Sequence, residues 1–170
     1  MSTVLHLVYH YRRLAAKCAS PAGLEIDEID TLATIEALFA RQDGSGDTDL
    51  WSCRREFSRE QVAHAATMRS TKHSDPVTIV NLGPGGAVCQ SGPYVELGDV
   101  CELIVTDEEL SLSYRFKAAV QWRRDQLDGD YTIGFRLLGV PLMVHHGEPA
   151  DDVNDDRART ERDQDIAVAA

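Results

Sequence analysis

Basic residues are scarce in this chain: 17 lysines and arginines stand against 28 aspartates and glutamates, a formal net charge of −11. Duplex DNA, RNA and anionic lipid bind through clustered cations, so an acid excess of this size argues against them as partners. Cys18, Cys53, Cys89 and Cys101 include no CxxC pair and no histidine at zinc-finger distance, which leaves them as reduced, structural thiols. No stretch reaches the ~18 uninterrupted apolar residues of a membrane span. Near the N-terminus the basic residues Arg12 and Arg13 follow the apolar ones instead of preceding them, unlike a secretory leader. The expectation is a cytoplasmic protein without membrane insertion. Missing too are GxSxG, HExxH and the Lys-Ser/Thr that would make Asn81-Leu82-Gly83-Pro84-Gly85-Gly86 a phosphate loop. Asp107-Glu108-Glu109 reads as a charged hairpin tip. His145-His146 reads as a solvated pair, because adjacent side chains diverge in an extended chain. No enzyme, no metal site and no resident cofactor is expected.

What is present is enough for a core, since 43% of the 170 residues are apolar. Residues 1–42 carry a helical period. Val4, Leu7, Val8, Tyr11, Leu14, Ala15 and Cys18 fall on one face of a first helix, and Ser20-Pro21-Ala22-Gly23 breaks it. A second helix follows, with Ile26, Ile29, Leu32, Ala33, Glu36 and Phe39 as its stripe and Asp27 and Glu28 suited to its first turn. The pair makes a helical hairpin whose residues Val8, Tyr11, Ile29 and Leu32 offer a surface for a homodimer or protein partner. Residues 43–50, around Gly44-Ser45-Gly46, form a linker.

From 51 to 145 the period changes to two. Leu110, Leu112, Tyr114, Phe116, Ala118, Val120 and Trp122 alternate with polar or small residues and predict a long strand with one buried face. Val62–Met68, Val77–Leu82, Gly86–Cys89, Cys101–Val105 and Tyr131–Leu137 supply further strands, with turns at Thr106–Glu109 and Asp128-Gly129. Closely spaced antiparallel strands of this kind predict a small closed barrel, so the fold class is mainly β, a barrel preceded by a two-helix hairpin. Residues 146–170 form an acidic tail with no apolar pattern, which reads as disordered.

Two short elements stand out within the barrel region. Arg54-Arg55-Glu56-Phe57-Ser58-Arg59 lies just before the first strand, and Asn81-Leu82-Gly83-Pro84-Gly85-Gly86 follows the second. In that order they resemble the PilZ family, whose signature is RxxxR followed some twenty residues later by [D/N]xSxxG. Arg55 and Arg59 match the first motif, with Arg54 beside them, and Asn81 and Gly86 match the second. Gly83 stands where the family has serine. The resemblance continues through Gly98-Asp99-Val100, Ala119-Val120-Gln121-Trp122 and Ile133-Gly134-Phe135.

The resemblance implies a receptor for cyclic di-GMP in bacterial second-messenger signalling, as in motility, with Arg54, Arg55, Arg59, Asn81, Gly83 and Gly86 as ligand-binding residues. The chemistry is suitable. A guanidinium is permanently charged and planar, and can meet a phosphate or a guanine edge with two parallel hydrogen bonds. Asn81 offers a donor and an acceptor to a base. A glycine at 86 lets backbone and ligand approach closely. A stacked ligand pair would need further guanine contacts, for which Arg54, Arg69 and Arg115 are candidates. The alternative is a degenerate barrel that binds no nucleotide and serves as a protein adaptor, which the loss of the motif serine favours.

Overall fold

A computed structural model describes residues 3–40, 57, 59–108, 110–127 and 129–146. Helix α1 (Thr3–Cys18) and helix α2 (Ile26–Ala40) precede six strands: β1 (Glu60–Arg69), β2 (Ser74–Gly83), β3 (Gly86–Gly92), β4 (Val100–Asp107), β5 (Leu112–Asp125) and β6 (Tyr131–His145). All neighbours are antiparallel, and the order β1-β2-β3-β6-β5-β4 closes when β4 pairs with β1. The closing seam is short, pairing only Thr67–Arg69 of β1 with Glu102–Ile104 of β4. Among the described residues no helix is long and apolar enough to cross a membrane.

The barrel interior follows from alternation. Met68, Ile79, Leu103, Tyr114, Phe116, Ile133 and Phe135 all point inward and are fully buried. On β5 the inward set runs Leu112, Tyr114, Phe116, Ala118 and Val120, then stops. Leu110 lies in the turn before the strand. Trp122 is 40% exposed, because the β5–β6 register slips between Val120 and Trp122. The extra residue rotates the strand and takes the indole out of the core. Gly134 makes room for it: a Cβ there would stand 2.1 Å from the Trp122 ring.

The turn between β4 and β5 begins later than the sequence predicts, since Thr106 and Asp107 are still in β4. Asp107 Oδ1 then accepts a hydrogen bond from the Leu110 amide and Ser111 takes a left-handed φ of 50°. The turn before β6 falls where expected, with Gly129 at φ 90° and the Gln126 amide donating to the Asp130 carbonyl. Ahead of β4, Gly98 (φ 87°) and Asp99 exchange backbone hydrogen bonds with Val120. That exchange pins the loop to the β5 bulge.

The helical hairpin caps the barrel. Helix α1 packs on β6 and β2, and α2 packs on α1. Because α1 lies between two neighbours, it buries Leu5 as well as Val8 and Leu14, while Cys18 stays exposed. In α2 the stripe is rotated from the sequence expectation. Ile35 and Phe39 are buried with Leu32 packed beside them, whereas Ile26 and Ile29 are 78% and 51% exposed. The proposed partner surface is therefore divided. Val8 belongs to the core, Tyr11 and Leu32 are half-buried, and Ile29 remains on the outside. Glu28 secures the start of α2 by accepting from the Glu25 amide and from Lys17 Nζ at 2.6 Å, and both contacts hold its carboxyl below the ordinary value.

Candidate functional site

In the β2–β3 turn it is Gly86 whose reason is space, whereas a Cβ on Gly85 would meet nothing within 4 Å. Gly83 and Gly86 close the turn as a register pair around Pro84-Gly85, and none of the three glycines has a positive φ. Gly86 is buried against its neighbours. A Cβ on it would lie 2.5 Å from the Phe135 carbonyl oxygen and 2.8 Å from a terminal guanidinium nitrogen of Arg59. Arg59, 27 positions earlier in the chain, thus lies directly over the glycine. The Leu137 amide donates to the Gly85 carbonyl and stitches the turn to β6.

Asn81 reaches its position through paired irregularities. The β1–β2 register slips between Gln61 and His64, and the β2–β3 register slips between Ile79 and Asn81. Val77 and Ile79 point inward, but beyond the slip it is Leu82 that points inward and Asn81 that is only half-buried. A bulge re-aims every later side chain by one step. Without it Asn81 would point into the core.

Arg54 and Arg55 lie outside the described residues, and so do the linker and the residues after His146. Of the six residues expected at the site, the structure places four: Arg59 over Gly86, Gly83 across the turn from Gly86, and Asn81 two residues before Gly83 on β2. Arg69 and Arg115 are elsewhere. They line a groove on the outside of β4 and β5 that includes none of the motif residues. Arg69 is ion-paired to Glu102 at 2.5 Å.

Two contacts invisible to motif reading tie the hairpin to this turn. Arg12 of α1 donates through Nη1 to the Pro84 carbonyl at 2.8 Å, and through Nε and Nη2 to the Gly139 carbonyl at 3.0 and 2.6 Å. Tyr11 meets Phe57 edge to face, 5.1 Å between ring centroids, so α1 also touches the arginine-bearing segment. Arg136 is a second omission. It is exposed on β6 and stands opposite Gly86 in register. Residues far apart in the chain meet here only through strand pairing and the docking of α1, and no local pattern announces them.

The other candidate chemistries take ordinary structural roles. Cys89 and Cys101 are free but buried, and burial pushes both thiols up to about 12, far from a reactive thiolate. His146 hydrogen-bonds to the buried Ser113 hydroxyl, which also meets Thr106 at 3.1 Å, while His145 ends β6 on the surface. Among the described residues no three His, Cys, Asp or Glu side chains gather as metal ligands.

The chain matches no protein-family model and no curated protein. Among solved structures it is similar to the Bacillus subtilis inhibitor of motility (MotI/DgrA), at 15% identity and a TM-score of 0.43. That match covers 51% of this chain and 43% of the other, so this chain spans less than half of that protein's length. At such an overlap, nothing about ligand or partner passes from one protein to the other.

Proposed function

We propose that the barrel is a PilZ-type receptor that binds cyclic di-GMP at the β2–β3 turn, with the N-terminal hairpin as the element that senses occupancy. The observation that carries this reading is the approach of Arg59 to Gly86, which joins the two halves of the RxxxR and [N]xxxxG pattern at one place on the barrel. Arg59 then supplies a guanidinium for a phosphate or guanine edge, Arg55 a second, and Asn81 a base-edge amide. Each charge-assisted hydrogen bond contributes about 1.5–3 kcal/mol, whereas the hydroxyl absent at Gly83 forgoes about 0.5–1.5 kcal/mol. On those magnitudes the missing serine lowers affinity by up to roughly tenfold and leaves binding intact.

One observation favours a different role. Gly83 is buried in the turn and has no side chain to offer a ligand, as expected of a barrel that has lost its nucleotide and acts as a protein adaptor in motility or pilus function. Calorimetric titration of the full chain with cyclic di-GMP separates the two. A receptor gives saturable heat that Arg55→Ala and Arg59→Ala each reduce by about tenfold or more in affinity, the loss of one charge-assisted contact. Absence of heat from the unaltered, folded chain leaves the adaptor.

A further inference from the structure

A groove of about 550 Å³ runs along the outside of the barrel, remote in sequence from the β2–β3 turn. Strand register explains it. Arg69, Glu102 and Lys117 stand side by side on β1, β4 and β5, and in the next row Arg115 on β5 stands between Ile104 on β4 and Leu142 on β6. Between these rows β5 advances two residues while β6 advances four, from Leu138 to Leu142. The surplus, turned by Gly139 at φ 57°, raises a lip on which Val140 and Leu142 are 49% and 60% exposed.

The groove holds three cations to one carboxylate on a chain of net charge −11. Glu102 is committed to Arg69. Arg115 is not so committed: its Nε–H is buried and has no hydrogen-bond partner among the described residues. A buried donor without an acceptor costs about 1–3 kcal/mol, so this one calls for an oxyanion. Cations beside exposed valine and leucine suit an acidic peptide that also carries an aliphatic side chain.

The sequence of this chain contains such a peptide a few positions after Leu142 of the groove wall. Residues 148–165 hold eight acidic and three basic residues, and Val153 sits between Asp151-Asp152 and Asp155-Asp156. The segment departs from the end of β6, where the His146 amide donates to the Ser111 carbonyl, only four positions past Leu142 in the groove wall. Arg115 is three residues along β5 from Leu112, the partner of His145, or about 10 Å at ~3.4 Å per residue. Asp151 follows His146 by five residues, which span up to about 17 Å extended. The tether is long enough, and its shortness raises the local concentration of carboxylate. We propose that residues 147–156 fold back into this groove, placing an aspartate pair on Arg115 and Lys117 and Val153 against Val140 and Leu142. The barrel thereby carries its own acidic strap, independently of whether the β2–β3 turn binds a nucleotide.

The chain has three lysines, which makes zero-length carbodiimide cross-linking a direct test. Lys117 lines the groove, Lys72 is exposed on the β1–β2 hairpin, and Lys17 pairs with Glu28. The full chain is cross-linked at low protein concentration and low salt and mapped by mass spectrometry, using a mixture of heavy- and light-isotope chains. The expected result is tail carboxylates joined to Lys117 at least about fivefold more often than to Lys72, within one chain. About 0.5 M salt should cut the yield severalfold by screening. Arg115→Gln should cut it as well, as should Val153→Ser, which keeps every tail carboxylate and leaves the barrel's composition untouched. Links shared evenly between Lys72 and Lys117, links insensitive to salt and to both variants, or links only between heavy and light chains overturn the proposal.

Discussion

At the scale of single residues, the site is defined by an absence of side chain. Gly86 is glycine because the Phe135 carbonyl and the Arg59 guanidinium occupy the space where a Cβ would go. The guanidinium is the end of a flexible side chain and can give way, whereas the carbonyl belongs to a paired strand and cannot. Gly86→Ala is therefore expected to destabilise the barrel by about 1–3 kcal/mol, as overpacking does. It should also push Arg59 off the turn, weakening cyclic di-GMP binding beyond the stability loss. Urea denaturation and titration of the folded fraction measure the two effects separately. A variant of unaltered stability and affinity would show that the contact carries no weight. The sequence marked Gly86 as a place where a ligand could approach closely, but not that Phe135 and Arg59, which come from other elements, already stand there.

At the scale of elements, the docking of α1 on the barrel should be sensitive to acid. His6 Nδ1 hydrogen-bonds with the Tyr114 hydroxyl at 3.2 Å, and His6 and His10 share a hydrogen bond between their Nε2 atoms at 2.9 Å. That last contact needs at least one neutral ring. Burial first, then His6 and Arg13, holds His10 below the ordinary histidine value of 6.5, and burial lowers His64 on β1 as well. The sign follows. Well above pH 6.5 the His10 and His64 rings are neutral folded or unfolded, and no stability is lost. As pH falls through 6.5 the unfolded chain takes up protons first, so the folded state loses stability until the depressed folded values are passed. The melting temperature should fall between about pH 7.5 and pH 5.5, and His10→Gln should flatten part of that fall. An equal slope in wild type and variant would remove His10 from the account. Helix α2 shows the limit of period reading in the same way. Its apolar residues are distributed around the helix, and only the presence of α1 on one side decides that Ile35 and Phe39 are buried.

At the scale of the whole molecule, charge sets how an anionic ligand arrives. A surface of net −11 repels a dianion at long range, while any arginine contact acts only at close quarters. Raising salt from about 0.01 M to 0.15 M shortens the screening length from ~30 Å to ~8 Å and removes the repulsion before it weakens the contact. The association rate of cyclic di-GMP should therefore rise over that range, the reverse of a ligand steered to a basic surface. Stopped-flow measurement of a fluorescent analogue tests this, and a rate that falls with salt would mean that local cations outweigh the global field. Against the same field the groove on β4 and β5 is an exception, because strand register brings its cations together from separate strands.

Alternation and helical spacing by themselves determined the classes of element and their order, because burial of one face imposes a period of two on a strand and of three to four on a helix. They also singled out the glycine-rich turn and Arg59, which the structure brings together at Gly86. What only the tertiary structure decided were the phases and the meetings. The register slips that turn Asn81 and Trp122 outward arise from pairing between strands. The burial of Val8, the rotated stripe of α2 and the grip of Arg12 on Pro84 and Gly139 arise from one element docking on another. A local period records that a face is buried, but which neighbour buries it is fixed only when distant strands close the barrel.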